Sequence, residues 1–278
     1  MAFKKIGKVQ PAKTDELQYL MAIRSLLRNL NLDMISEIGH LLEEDTLDPV
    51  AVQLAIRDLK DRNIPTDAQA LQTASTFVES VNQRNQMRVS AVALSAGALP
   101  TGLSLRAIIR EENLLPMLQA SVFENTRLIQ NVPEKMLDDV QSLLMRYITN
   151  PDEFFETETS MGLIGQIQEK MNVAERRART IAVDQVHKIN AVLSRERFMQ
   201  LGSPGYQWLT AGDERVRDRH KVLNGRYFLW VSVDGPNPIA PDGKPFLDPP
   251  PFAPGMEILC RCDALPVLPL EQALLSGL

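Results

Sequence analysis

A change of texture at Gly202 constrains this fold more than any other feature of the sequence. Residues 14 to about 200 read as helix after helix. Between Gly202 and residue 269 stand eleven of the 18 prolines, both tryptophans and both cysteines. Proline fixes φ and lacks a backbone N–H, so a stretch this rich in it cannot prolong the helices before it. The expected fold class is mainly α: an elongated helical body over 1–201, followed by a small α+β, loop-rich C-terminal domain over 202–278. Leu99-Pro100-Thr101-Gly102 interrupts the helical pattern and divides the body into two helical subdomains near 100.

Within the body, apolar spacing predicts the helices. The stretch 15–42 is rich in Leu, Met and Ile and runs into an acidic turn, Glu43-Glu44-Asp45. A second helix over 49–63 carries Val52, Ala55, Ile56 and Leu59 at helical spacing, and a third runs from Thr66-Asp67 to about 96, stopped by Gly97. Another starts near Pro133, shows one apolar stripe through Met136, Leu137, Val140, Leu143 and Leu144, and ends at Asn150-Pro151-Asp152. The last covers 173–199 and carries Arg176, Arg177, Arg179, Lys188, Arg195 and Arg197. Such a charge run is read first as a solvated face; a stripe facing DNA or a partner is the alternative. Beyond Gly202, 227–233 reads as a short strand, and 236–254 as a long irregular loop that needs a tether or a function.

Composition narrows the function classes. With 30 basic against 35 acidic residues the net charge is −5, which argues against a protein that wraps nucleic acid. No apolar run reaches the 18 residues of a membrane span, and Met1-Ala-Phe-Lys-Lys is not followed by the apolar stretch of a secretory signal. Two cysteines do not make an oxidised scaffold, so the expected place of synthesis is a reducing cytoplasm.

The chemistry-bearing residues cluster between Trp208 and Cys262. Thr210 and Asp213 have the spacing of a helix N-terminal cap, which predicts a helix with Asp213 in its first turn. Asp213, Arg217 and His220 then share one face, and Asn224-Gly225 stops the helix. Cys260 and Cys262 alternate with Arg261, so on an extended segment both sulfurs face one side. A disulfide between them would be badly strained. Two thiolates and the His220 imidazole resemble three quarters of a zinc site, with Asp213, another carboxylate or water as the fourth ligand. A structural zinc would also explain how so proline-rich a region stays folded. The plainer alternative has two reduced cysteines packed as small apolar residues and His220 bonded to a backbone carbonyl. A third reading makes Cys260 a nucleophile, His220 its base and Asp213 the orienting group. It lacks support from any phosphate loop, Gly-x-Ser-x-Gly elbow or dinucleotide fingerprint.

The run Trp208-x-Thr210-x-x-Asp213-x-Arg215-x-Arg217-x-x-His220-x-x-Leu223-x-Gly225, closing with Pro254-Gly255 and Cys260-Arg261-Cys262, resembles the phage head morphogenesis family. That is the family of the Mu F minor head protein and its counterpart in the Bacillus phage SPP1. Upstream, Arg177-Ala178-Arg179-x-Ile181-Ala182-x-Asp184-Gln185 is similar to the family's Arg-Ala-x-x-Ile-Ala segment, and the resemblance covers roughly 120–266. Leu259 is a departure, since many relatives carry Asn before the first cysteine. The resemblance implies a minor structural protein of a tailed bacteriophage virion, not an enzyme. It would be built in during prohead assembly near the portal, lie inside the capsid, and act in head morphogenesis and DNA packaging or ejection. Portal protein, other capsid proteins and packaged double-stranded DNA are the partners it implies. It says that the His and the two Cys recur together, without settling a metal. Two readings compete: a zinc- or thiol-dependent hydrolase, and a DNA-binding protein using the basic helix 173–199.

Overall fold

The structure, a computed structural model, describes residues 3–43, 47–97, 109–154 and 161–269. The break at 99–102, the subdomain split near 100 and most of the acidic turn after residue 43 lie outside these residues.

As expected, the chain is mainly helical, with a small antiparallel sheet built largely from its C-terminal part. Helix α1 (Lys13–Glu43) buries Leu20, Ile23, Leu27, Leu30, Met34 and Ile38, three or four residues apart, as one continuous stripe. Helix α2 (Pro49–Asn63) opens on Asp48, whose carboxylate accepts from the N–H groups of Val50 at 2.7 Å and Ala51 at 2.9 Å. Two donors that the helix itself cannot satisfy are thereby paired, and Pro49 sits where its missing N–H costs nothing. Helix α3 (Asp67–Ser95) starts with a reciprocal cap: Thr66 N donates to Gln69 Oε1 at 3.0 Å, and Gln69 N to Thr66 Oγ1 at 3.4 Å. Gly97, at φ 68°, follows its end as expected.

Helix α4 (Leu115–Thr149) departs from the expected start near Pro133, which instead lies inside it. Asn125, Ile129 and Val132 continue on the N-terminal side the buried stripe that Met136, Leu137 and Val140 form on the other. Burial on both sides of the proline offsets the single backbone bond it removes. Helix α5 (Leu163–Gln200) likewise begins earlier than 173.

The chain's contacts group into two compact units. One comprises Met1–Asp15, Phe77–Ser121 and Val183–Leu278; the other comprises Glu16–Thr76 and Val122–Ala182. The boundary expected near 202 falls within the first of these. The second unit is all helical and is tied by pairs between its helices. Tyr19 donates to Asn125 at 2.8 Å, Arg24 to Glu175 at 2.7 Å, and Lys60 to Asp138 at 2.6 Å.

The first unit contains a sheet of order β1-β4-β2-β3, antiparallel throughout. Its strands are β1 (Phe3–Lys5), β2 (Gly205–Leu209), β3 (Tyr227–Leu229) and β4 (Asp263–Pro269). Only β3 falls within an expected strand. Strand β4 is hidden in the sequence by Pro266 and Pro269, yet it lies between β1 and β2, and the Pro266 carbonyl accepts from Ile6 N at 3.1 Å. Gly205 permits the β2–β3 approach, because a Cβ there would stand 2.1 Å from the Phe228 carbonyl oxygen. Leu229, Ala240, Phe246 and Val267 form a core behind this sheet, so the proline-rich loop is pinned by its own apolar residues. Among the described residues no helix is long and apolar enough to cross a membrane.

Helix α5 also supplies the first unit with a buried polar network. Arg197, fully buried, donates to Asn85 Oδ1 at 2.5 Å and Asn82 Oδ1 at 2.6 Å, and Asn85 donates to Asn190 Oδ1 at 2.9 Å. Asn190 in turn holds the Val9 carbonyl at 2.8 Å, fastening the N-terminal segment.

Candidate metal centre

Two segments far apart in sequence meet to form the site. Strand β2 delivers Trp208, and a single helical turn, α6 (Asp218–Lys221), delivers His220. Gly225, at φ 80°, then turns the chain back; its N–H donates to the Trp208 carbonyl at 2.8 Å, and β3 pairs with β2. The opposing segment arrives through Pro254-Gly255 and places Cys260 and Cys262 immediately before β4.

The helix expected from Asp213 onward does not form; only 218–221 is helical. Asp213 is drawn elsewhere. Its two carboxylate oxygens accept from the two Arg261 guanidinium nitrogens at 2.6 and 2.7 Å, a bidentate pair that no single cap bond matches. Asp213 also accepts from Arg215 N at 3.2 Å, which makes a local turn instead of a helix start.

His220 Nδ1 lies 3.6 Å from Cys260 Sγ and 3.4 Å from Cys262 Sγ, and all three residues are buried. The three ligand atoms all fall within 4.8 Å of one another. Tetrahedral zinc with bonds of about 2.3 Å to sulfur and about 2.0 Å to nitrogen requires N···S separations of roughly 3.5 Å. Both observed distances fit. One imidazole lone pair can accept a proton from only one thiol at a time, whereas near-equal distances to both sulfurs suit a shared metal ion.

The surroundings fix the imidazole. Trp208 meets it edge-on at 5.3 Å, Phe252 stacks on it at 5.1 Å, and the Arg219 guanidinium lies 5.1 Å from the Phe252 ring. On the far side of the ring, Glu257 Oε2 approaches His220 Nε2 to 2.8 Å without the alignment of a hydrogen bond, leaving both atoms buried and unsatisfied. A carboxylate at the second nitrogen is the usual outer partner of a metal-bound imidazole. Trp208 Nε1 is likewise buried without a conventional acceptor, and its N–H favours the thiolate form of Cys262. The Nδ1 nitrogen and the two sulfurs at ligand spacing fit a zinc-type ion.

The two thiols do not ionise alike. Cys260 is pulled below the ordinary cysteine range, first by its hydrogen bond with Cys262 and then by nearby backbone N–H groups and His220, against the effect of burial. Cys262 is pushed up, first by the same bond and then by burial and the Cys260 charge. The pair therefore favours one thiolate beside one thiol, whose proton a metal would displace.

The remaining motif residues bind the two segments together. Arg217 donates to the Ile258 carbonyl at 2.7 Å, and Arg219 pairs with Glu257. Arg215 is more exposed and reaches only Asp213, at 3.5 Å. Glu257 and Phe252 escaped the sequence reading, although Glu257 stands out as the one acidic residue between Asp248 and the cysteines. Asp184, on α5, accepts the N–H of Leu259 at 2.9 Å.

A cavity of about 580 Å³ opens beside Cys262 and Glu257, walled by Trp230, Phe252, Pro254 and residues of α5, but neither His220 nor Cys260 lines it. The Cys260 thiol is thus closed off from both solvent and cavity, as a nucleophile would not be. The basic residues of α5 have mostly local partners, and Arg176 and Arg179 remain exposed. Arg176 pairs with Glu169, Arg177 donates to Asn131, Lys188 pairs with Asp184, and Arg195 donates to the Trp230 carbonyl. Arg197 is buried, so it is lost to a DNA-facing stripe, whereas Arg176 and Arg179 stay on the surface.

A protein of Haemophilus influenzae described as "Uncharacterized protein" is 26% identical over 282 residues, covering 99% of this chain and 58% of that protein. The chain thus spans little more than half of that relative's length. No solved structure matches it. Residues 156–265, which include all of α5 and His220, Cys260 and Cys262, match the family model described as "Phage Mu protein F like protein", so this region is Mu F-like, as its motif implied.

Proposed function

We propose that the chain is a minor structural head protein of a tailed bacteriophage, made in the host cytoplasm and incorporated near the portal during prohead assembly. It acts in head morphogenesis and in DNA packaging or ejection, inside the capsid, in contact with portal and other capsid proteins and with packaged double-stranded DNA. The observation that carries this reading is the Mu F-like match over residues 156–265, which contains both halves of the His220–Cys260–Cys262 clasp. Residues 202–278 serve as the head-morphogenesis module, and the helices before them provide surface for protein partners.

Within the module, His220, Cys260 and Cys262 hold a structural zinc ion. A buried site locked by aromatic rings and arginines is suited to pinning loops, and its sealed thiol speaks against the hydrolase alternative.

Deleting the coding sequence from the phage genome tests the role. Empty, misshapen or non-infectious particles by electron microscopy and plaque assay are expected; normal heads and normal infectivity would overturn it. Elemental analysis of purified protein tests the metal, with one zinc per chain expected and metal-free protein with two free thiols as the opposing result.

A further inference from the structure

We propose that Asp184 is the positioning residue of the cysteine loop: it holds Leu259 in a left-handed backbone conformation and thereby aims Cys260 at His220. Leu259 has φ 56°, and among the described residues it is the one non-glycine with positive φ. For a leucine that conformation is strained by its own Cβ, and it persists only where the surroundings over-determine it. Leu259 is also half exposed, so packing of its side chain cannot supply the restraint.

A turn bond from the Cys260 N–H to the Glu257 carbonyl at 2.9 Å closes the reversal at Leu259, and α5 adds a side-chain restraint to it. Asp184 is buried, accepts the Leu259 N–H through Oδ1 at 2.9 Å, and is steadied through Oδ2 by Lys188 at 2.8 Å, one turn along the helix. A charge-assisted bond to a backbone N–H is short and strong, and here it acts on the residue directly before the first sulfur. Two further contacts hold the same loop. Gly255, at φ 79°, lies against α5, where an added Cβ would stand 3.3 Å from Ala191, and Arg217 grips the Ile258 carbonyl at 2.7 Å. With Ile258 and Leu259 both held through their backbones, the chain must reverse at Leu259, which turns Cys260 inward. Asp184 touches neither sulfur nor imidazole; it acts through the backbone alone.

This inference rests on the zinc reading for one arm of its test and is independent of it in the other. In the first arm, cobalt(II) is titrated into the full chain and followed by its thiolate charge-transfer absorption. Asp184→Ala should weaken binding by roughly 10- to 100-fold, while Asp184→Asn, whose amide oxygen still accepts the Leu259 N–H, should bind nearly as the parent does. Leu259→Gly, which removes the strain, should restore most of the loss when added to Asp184→Ala. In the second arm, metal-free protein is labelled with N-ethylmaleimide: Asp184→Ala should speed modification of Cys260, and Leu259→Gly should slow it again. Parent-like labelling in Asp184→Ala would overturn the proposal, as would failure of Leu259→Gly to rescue. Loss of function in Asp184→Asn equal to that in Asp184→Ala would also overturn it, since charge and not backbone acceptance would then be at work. If the parent binds no cobalt, the zinc reading falls, and the labelling arm still decides the role of Asp184.

Discussion

The helical unit and the His220–Cys260–Cys262 clasp are held by opposite means. In the helical unit, α1, α2 and α4 present unbroken apolar stripes, with polar pairs such as Lys60–Asp138 at their edges. Its stability is spread over many similar residues, each replaceable at moderate cost. The clasp, though walled by Trp208 and Phe252, adds cohesion concentrated in named atoms: one ring nitrogen, two sulfurs, and the Asp213–Arg261 and Arg217–Ile258 bonds. Spread cohesion tolerates change of side chain, whereas concentrated cohesion tolerates almost none.

The largest effect that separates the two should come from His220→Ala. This variant should lose its zinc altogether by elemental analysis, leave both thiols reactive, and keep the far-ultraviolet helical signal of the other unit. Retention of stoichiometric metal would break the contrast. Leu137→Ala should do the reverse: a buried leucine in α4 is lost at a cost of about 3 kcal/mol in a denaturant melt, with metal content unchanged. Loss of zinc in that variant would mean that the two regions do not respond separately.

A smaller effect follows from Asp213, whose carboxyl is held below its ordinary value first by the hydrogen bond from Arg261, against some desolvation. A depressed folded value contributes stability that is fully present above the ordinary carboxylate value, near 4. That contribution disappears as the pH falls through the folded value. Unfolding midpoints measured from pH 6 downward should therefore drop less steeply in Asp213→Asn than in the parent. Equal acid limbs would remove the Asp213–Arg261 pair from the clasp's ties. The smallest effect is expected from Leu259→Asn. Asparagine accepts the left-handed conformation more readily, so the variant should gain about 1 kcal/mol, and a destabilised variant would show that the leucine side chain matters after all.

The same contrast decides what the sequence could reveal. Helices α1, α2 and α3 were legible because their apolar spacing repeats over many turns and their caps have fixed chemistry, as at Asp48 and Thr66. The start of α4 was misread because Pro133 is a strong local signal, overridden by burial on either side of it. Strand β4 was missed for a related reason: Pro266 and Pro269 disguise a strand whose place is set by partners elsewhere in the chain. The histidine and cysteines stood out by rarity and type. Glu257 did not, because it is an ordinary acid in a sequence with 35 of them, and Asp184 stood out only as part of the motif segment on α5, with no sign of its contact to Leu259. Asp213 is placed in a helix start by its local spacing and pairs with Arg261 instead, since nothing local tells of an arginine 48 residues away. The departure at Leu259 also takes on a physical meaning: what the position demands is a backbone angle, which asparagine meets more easily than leucine.

The clasp closes a long excursion of chain between His220 and Cys260, and the tip of that excursion, Asp242-Gly243, is exposed and open. With both ends clamped, the entropy lost in closing the segment rises only by about 0.6 kcal/mol for each doubling of its length. A fluorescent tag or short epitope spliced in at Gly243 should therefore leave the fold intact. That offers a handle for testing whether the protein enters phage particles.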